Sequence, residues 1–287
     1  MKQNLPPLRP GLPAPSALLA RRAAGSSALQ QQGSVAGVEV AEYDHAGVLC
    51  VECRVPDPQR TFLHFHGGGY RMGHPRAWAA FGSRLAKLCQ ARVVLPDYRL
   101  APEFPFPAAL HDAAAVYAAL VKDSVGKVIA SGDSAGGGLA TSLVVACATL
   151  GLSRPPALIL ISPWLDLTVE AETYTSRAAS DKLFSREAAN EGSTQYLQGL
   201  SPQDPLASPL FADLTDFPPV QIFAGGDEVL LGDSLSFVSR LAQAGGTVEA
   251  HFVGGMQHDW PPIFPELKES EAAIAAMVRF ACTHTAP

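Results

Sequence analysis

The chain has 287 residues, 47% apolar and only 17% charged, against roughly 25% charged in an average soluble domain, so a large buried core is expected. A net charge of −6 with no basic run excludes a nucleic-acid footprint, and no apolar run reaches the roughly 18 residues that span a bilayer. The Pro-rich start, Met1 to Pro15, lacks the apolar centre of a secretory signal, and five cysteines fit a reducing compartment, so a cytoplasmic location is the expectation.

Residues 1–33 are rich in Pro, Ala and Gln, with room for a helix over Ala17 to Gln32. Val38 to Asp44 and Val48 to Val55 read as an antiparallel opening pair. Cys50 and Cys53 fall in the second strand, where positions three apart point to opposite faces, so this C-x-x-C is read as packing and not as a metal or redox pair. Thr61 to His66 is a strand, Ala77 to Gln90 a helix, Arg92 to Tyr98 a strand and Ala108 to Lys122 an Ala-rich helix. Lys127 to Asp133 is a strand running straight into a helix, Ser134 to Leu150. Strands follow at Ala157 to Ser162, Val220 to Ala224 and Val248 to Val253, with a helix over Ser234 to Ala244 between the last two. Glu266 to Thr283 closes the chain as a helix. This alternation predicts an α/β fold with a mostly parallel central sheet flanked by helices. Residues 164–216 break the rhythm. So long a stretch without strands reads better as a helical insertion over the sheet than as a bare loop.

Three motifs carry chemistry. Gly132-Asp133-Ser134-Ala135-Gly136 is a G-x-S-x-G between a strand and a small-residue helix, the setting of a nucleophile elbow. The helix start supplies unpaired N–H groups and a partial positive charge. His66-Gly67-Gly68-Gly69-Tyr70 also follows a strand, and its glycines let backbone N–H groups approach an oxyanion, joined by that of Ala135. Gly254-Gly255-Met256-Gln257-His258-Asp259-Trp260 places His258 after the last strand, third in the order serine, acid, histidine. For the acid, Asp227 and Glu228 lie side by side.

The ordered set H-G-G-G-Y, D-Y-R-L-A-P-E (Asp97 to Glu103), G-D-S-A-G-G and G-M-x-H resembles the hormone-sensitive-lipase-like, or bacterial family IV, carboxylesterases, from about Val38 to the end. The resemblance implies an α/β-hydrolase fold in one domain, with a helical cap formed by about 1–33 and 164–216. It implies Ser134 as nucleophile, His258 as general base, and Gly68, Gly69 and Ala135 as the oxyanion hole, with His66 bracing that loop. Relatives carry D-P-L-x-D-E at the acid. Placing Glu228 on the first Asp puts Leu230 on the Leu and Asp233 on the last acid, which favours Glu228 over Asp227. Asp133, His111 and Asp112 are read as structural, Trp164 as pocket or core, and Met256 and Trp260 as packing around His258.

The expected function is a serine carboxylester hydrolase acting on short- to medium-chain acyl esters through an acyl-enzyme. A lactone hydrolase with the same triad and a non-catalytic ligand-binding homologue are the alternatives. No cofactor or metal is expected. The expected partner is a small-molecule ester, without nucleic acid or membrane, and the last strand is a sheet edge through which a homodimer could form.

Overall fold

In the computed structural model, residues 4–29, 33–123 and 128–285 are described; Gln32, Lys127 and parts of the 1–33 segment named above fall outside them. The chain runs α1 (Ser16–Leu29), β1 (Glu39–His45), β2 (Val48–Arg54), β3 (Arg60–Phe65), α2 (Ala79–Cys89), β4 (Ala91–Pro96), α3 (Ala108–Asp123), β5 (Val128–Asp133), α4 (Ser134–Leu150) and β6 (Leu158–Ile161). It continues through α5 (Thr173–Ser176), α6 (Arg186–Leu197), β7 (Val220–Gly225), α7 (Leu231–Gln243), β8 (Val248–Val253), α8 (Trp260–Ile263) and α9 (Lys268–His284).

The strands form one sheet ordered β1-β2-β4-β3-β5-β6-β7-β8. β2 pairs antiparallel with β1 and β4; from β4 through β8 every pairing is parallel. The central strands β5, β6 and β7 are buried along their whole length, as a sheet covered on both faces requires. Two apolar clusters fill those faces. Leu63, Leu139, Leu160 and Ile222 sit in one, and Phe62, Leu85, Ile159 and Met277 in the other. Cys50 belongs to the first and Cys53 to the second, which is the opposite-face placement that strand geometry dictates. Strand order reverses between β3 and β5, and at such a switch point the carboxyl ends of the strands open a crevice.

One helix begins earlier than the sequence reading has it, and one short helix is additional to that reading. The expected Ala77 to Gln90 helix begins as a 3₁₀ turn, Pro75–Trp78, capped by the His74 ring accepting from the Arg76 amide. The expected final helix, Glu266 to Thr283, forms as α9, Lys268–His284, and a short helix outside the sequence reading, α8, precedes it. Pro261 and Pro262 fit the first turn of α8, where their missing N–H groups cost nothing. Between β6 and β7 the chain forms α5, α6 and a 3₁₀ turn, Pro209–Phe211. Among the described residues no helix is long and apolar enough to cross a membrane.

Candidate active site

β5 ends at Asp133 and α4 begins at Ser134 with no intervening loop. Turning so sharply puts Ser134 at φ 51, a left-handed conformation that costs a serine free energy and that the surrounding packing must enforce. The packing is close. A Cβ on Gly136 would run into the Phe65 carbonyl, and one on Gly132 into the Gly136 carbonyl. Only glycine fits at either flank.

The loop after β3 is fixed from several sides. The His66 Nδ1–H donates to the Gly67 carbonyl at 2.8 Å, the ring stacks on Tyr98 at 4.4 Å, and the Tyr98 hydroxyl donates to the His66 carbonyl at 2.7 Å. Burial pushes the His66 imidazole down to about 4, so it braces the loop as a neutral ring. The Gly67 N–H donates to Asp133 Oδ2 at 2.8 Å, which removes Gly67 from the set of free donors. Gly68 and Gly69, at φ 123 and 63, keep N–H groups with no hydrogen-bond acceptor among the described residues, and the Ala135 N–H lies at the start of α4.

His258 follows β8 by a short turn. Its Nε2 is 3.0 Å from Ser134 Oγ, and its Nδ1 is 3.4 Å from Glu228 Oε2. That second distance is an ion-pair contact longer than a strong hydrogen bond. Burial pushes the Glu228 carboxyl up, against the pull of His258 and of the Ser162 hydroxyl. Burial also opposes charge on His258, but the carboxyl groups of Asp259, Glu228 and Asp181 outweigh it and hold the imidazole up to about 9. The structure thus brings Glu228, and not Asp227, to the imidazole. At Asp227 the contacts run through the backbone, its N–H to the Met256 carbonyl and its carbonyl to the Ser180 hydroxyl. Asp181 accepts the Val229 N–H at 2.9 Å and pins the turn that carries Glu228.

The segment between β6 and β7 lies over this constellation. Phe184 stacks on His258 at 5.5 Å and meets the edge of the buried Trp164 at 5.8 Å. Arg71, just past the glycine loop, donates to the Ala188 carbonyl at 3.1 Å and pairs with Glu191 at 2.8 Å, both on α6. From α1, Arg22 donates to the Arg71 and Ala101 carbonyls at 2.7 and 2.8 Å and grips Glu103. The D-Y-R-L-A-P-E stretch therefore works as an anchor. Asp112 holds Arg99 at 2.7 Å, and His111 reaches the Pro6 carbonyl. Trp260 is core, packed at 6.4 Å against Phe223.

Two residues at the site were not singled out by sequence reasoning. The Ser162 hydroxyl oxygen, at the end of β6 with φ 43, accepts the Asp259 N–H at 3.0 Å and faces Glu228. Asp259 itself lies beside His258 Nε2 at 3.2 Å. The only sequence signal for Ser162 is a polar residue closing an otherwise apolar strand.

This architecture has known counterparts. A family model described as the alpha/beta hydrolase fold matches residues 62–262. An acetyl-hydrolase of Streptomyces hygroscopicus is 38% identical over 79% of this chain and 76% of its own. An esterase of Acinetobacter venetianus is 37% identical over 75% of this chain and 73% of its own. Among solved structures, an esterase from the bacterial hormone-sensitive lipase family aligns with a TM-score of 0.90 at 33% identity, covering 95% of this chain and 93% of that one. A hormone-sensitive lipase from a metagenome library gives 0.89 at 34% identity, with 94% of each chain covered.

Proposed function

This chain belongs to the α/β-hydrolase fold family, as a carboxylester hydrolase of the hormone-sensitive-lipase-like group, and from that premise we propose that it cleaves esters by two-step acyl transfer through Ser134. His258 Nε2 takes the Ser134 proton as Oγ attacks the ester carbonyl. Glu228 holds the other ring nitrogen, fixing the tautomer and stabilising the imidazolium. The carbonyl oxygen, now an anion, is received by the N–H groups of Gly68, Gly69 and Ala135, each such donor contributing on the order of 10²–10³ in rate. His258 then returns the proton to the leaving alcohol, and water repeats the sequence on the acyl-enzyme. The observation that carries this reading is the imidazole with Ser134 Oγ at 3.0 Å on one nitrogen and Glu228 at 3.4 Å on the other.

The reading includes a single domain whose residues 1–33 and 164–216 act as a cap. Phe184 over His258 and the Arg22–Arg71–Glu191 chain support it. With Ser134 only 4% exposed beneath that cover, and with an acetyl-hydrolase among the relatives, short- to medium-chain acyl groups are the proposed substrates. Five unpaired cysteines fit a cytoplasmic location. β8, an edge strand with half its residues exposed, offers a pairing surface for a homodimer.

The test is hydrolysis of p-nitrophenyl esters from acetate to palmitate, alongside a lactone panel, by wild type and Ser134→Ala. Activity peaking at short chains, with a trapped acyl adduct on wild type and none on the variant, is expected. Turnover of lactones alone would move the substrate class, and activity surviving in Ser134→Ala would refute the mechanism. Because the base must be unprotonated and His258 is held up to about 9, kcat/KM should climb through neutral pH and level off near that value.

A further inference from the structure

β3 and β5 are parallel neighbours, with His64 opposite Ser131 and Phe65 opposite Gly132. Side chains alternate across a strand. His64 therefore shares the face of Phe62, and Ser131 and Asp133 share the face of Ile129, which is that of the apolar cluster holding Phe62, Phe81 and Ile129. Three buried polar side chains thus meet in an apolar setting. The His64 ring lies 5.3 Å from that of Phe81. Its Nδ1 is 3.1 Å from Ser131 Oγ, and its Nε2 is 3.1 Å from Asp133 Oδ1. The other oxygen of Asp133, Oδ2, accepts the Gly67 N–H at 2.8 Å.

Hydrogen-bond accounting orients the imidazole. A neutral imidazole has one N–H and one lone pair. With the hydrogen on Nε2, Asp133 Oδ1 gains a donor and Nδ1 accepts the Ser131 hydroxyl, so each polar contact of the trio is a hydrogen bond, as burial demands. The opposite tautomer sets the Nε2 lone pair against a carboxylate oxygen, which burial makes costly. With a donor on each oxygen, the Asp133 carboxylate cannot turn without breaking one of its bonds.

We propose that His64 is a positioning residue of the hydrolytic reaction: by donating Nε2–H to Asp133 Oδ1 it aims Oδ2 at Gly67 and fixes the two halves of the oxyanion hole relative to each other. The inference rests on the acyl-transfer reading above. The hole draws its donors from two strands. Gly68 and Gly69 follow β3, directly after Gly67, and Ala135 follows β5, two residues after Asp133. Asp133 belongs to the second half through its backbone and holds the first through its side chain. Without the His64 donor, Oδ1 is left buried and unpaired, the carboxylate turns or shifts to find a partner, and Gly67 loses its acceptor. His64 touches no reacting atom and acts only through Asp133. Its loss therefore falls on the tetrahedral state, where the substrate oxygen carries charge, and spares the ground-state complex.

The test combines p-nitrophenyl butyrate hydrolysis with inhibition by a trifluoromethyl ketone, which Ser134 Oγ attacks to give a tetrahedral adduct whose anionic oxygen occupies the hole. His64→Phe keeps a ring against Phe81 and removes both nitrogens. It should lose kcat by about 10²-fold with KM little changed, the scale of a misplaced catalytic group, and its affinity for the ketone should fall by a similar factor. His64→Gln, whose side-chain amide offers an N–H to Asp133 and a carbonyl to Ser131, should recover most of both losses. In wild type, the imidazole ¹⁵N–¹H signal that disappears in His64→Gln should place a proton on Nε2. A His64→Phe with kcat and ketone affinity unchanged, or one that raises KM instead, would overturn the proposal. So would a His64→Gln as impaired as the phenylalanine variant. If His64→Phe does not fold, the glutamine variant and the ring signal decide, and an Nε2 without a proton refutes the assigned bond. Ser134→Ala separates the two levels. If it remains active, the acyl-transfer reading itself fails. If it is inert while both His64 variants behave as wild type, only the role of His64 fails.

Discussion

Replacing Glu228 by Gln tests the acid most directly, because it preserves volume and removes one charge. The Glu228 Oε2 lies 3.4 Å from His258 Nδ1. At that separation, with an effective dielectric of about 20, the attraction between a carboxylate and an imidazolium is at most about 5 kcal/mol. Converted at about 1.4 kcal/mol per decade, this is between about 10³ and 10⁴ in rate. A neutral amide partner can also hold the imidazole in the wrong tautomer, for which the serine-protease template records a loss of about 10⁴. Glu228→Gln should therefore lose about three to four orders of magnitude in kcat/KM on p-nitrophenyl butyrate, with its circular dichroism unchanged. Asp227→Asn, altering a residue whose contacts run through its backbone, should stay near wild type. If Glu228→Gln lost less than tenfold, or Asp227→Asn proved the more damaging, the assignment drawn from the His258 geometry would be wrong.

Gly136→Ala would drive a methyl group into the Phe65 carbonyl, backbone that cannot step aside. It should cost at least about 1–3 kcal/mol and lower the melting temperature, and an unchanged melting temperature would refute the close approach. Arg22→Ala removes hydrogen bonds to the Arg71 and Ala101 carbonyls and the pairing with Glu103. It should speed proteolysis within the N-terminal segment and raise KM more than it lowers kcat. Burial pushes the Asp233 carboxyl up to about 8, against the Leu165 and Asp166 amides that donate to it. A carboxyl raised in the folded state favours folding fully at acid pH, and that contribution is lost as pH climbs to the folded value. The melting temperature should therefore fall between about pH 4 and pH 8, and Asp233→Asn should flatten that fall.

The strands and the elbow were legible because their signals are local. The apolar runs of β5, β6 and β7 announce themselves, and Gly132 and Gly136 are demanded by a turn whose ends are four residues apart. The choice of Glu228 over Asp227 was legible only through register against a known motif, since neighbouring carboxylates look alike until the chain direction is fixed. Ser162 and Asp259 were not legible as a pair. They meet across 97 positions of sequence, and each by itself is an ordinary polar residue at the end of an element. Arg22 and Arg71 escaped for the same reason, being charged residues whose acceptors are backbone carbonyls supplied by distant loops. The early helical turn before α2 and the additional short helix α8 both trace to proline, which begins a helical turn as readily as it ends one.

The cysteines divide into two chemical populations. Burial pushes the thiols of Cys50, Cys89 and Cys147 up to about 12 and that of Cys53 to about 11, leaving them poor nucleophiles, whereas Cys282 is exposed on α9. The end of that helix is fastened to the start of β3, where Arg60 donates to the Thr285 hydroxyl at 3.0 Å. Cys282 therefore lies at the amino ends of the strands, while Ser134 lies at their carboxyl ends. A thiol-reactive dye or solid support would attach at one point on the far side of the sheet, leaving the mouth of the catalytic crevice turned toward solution.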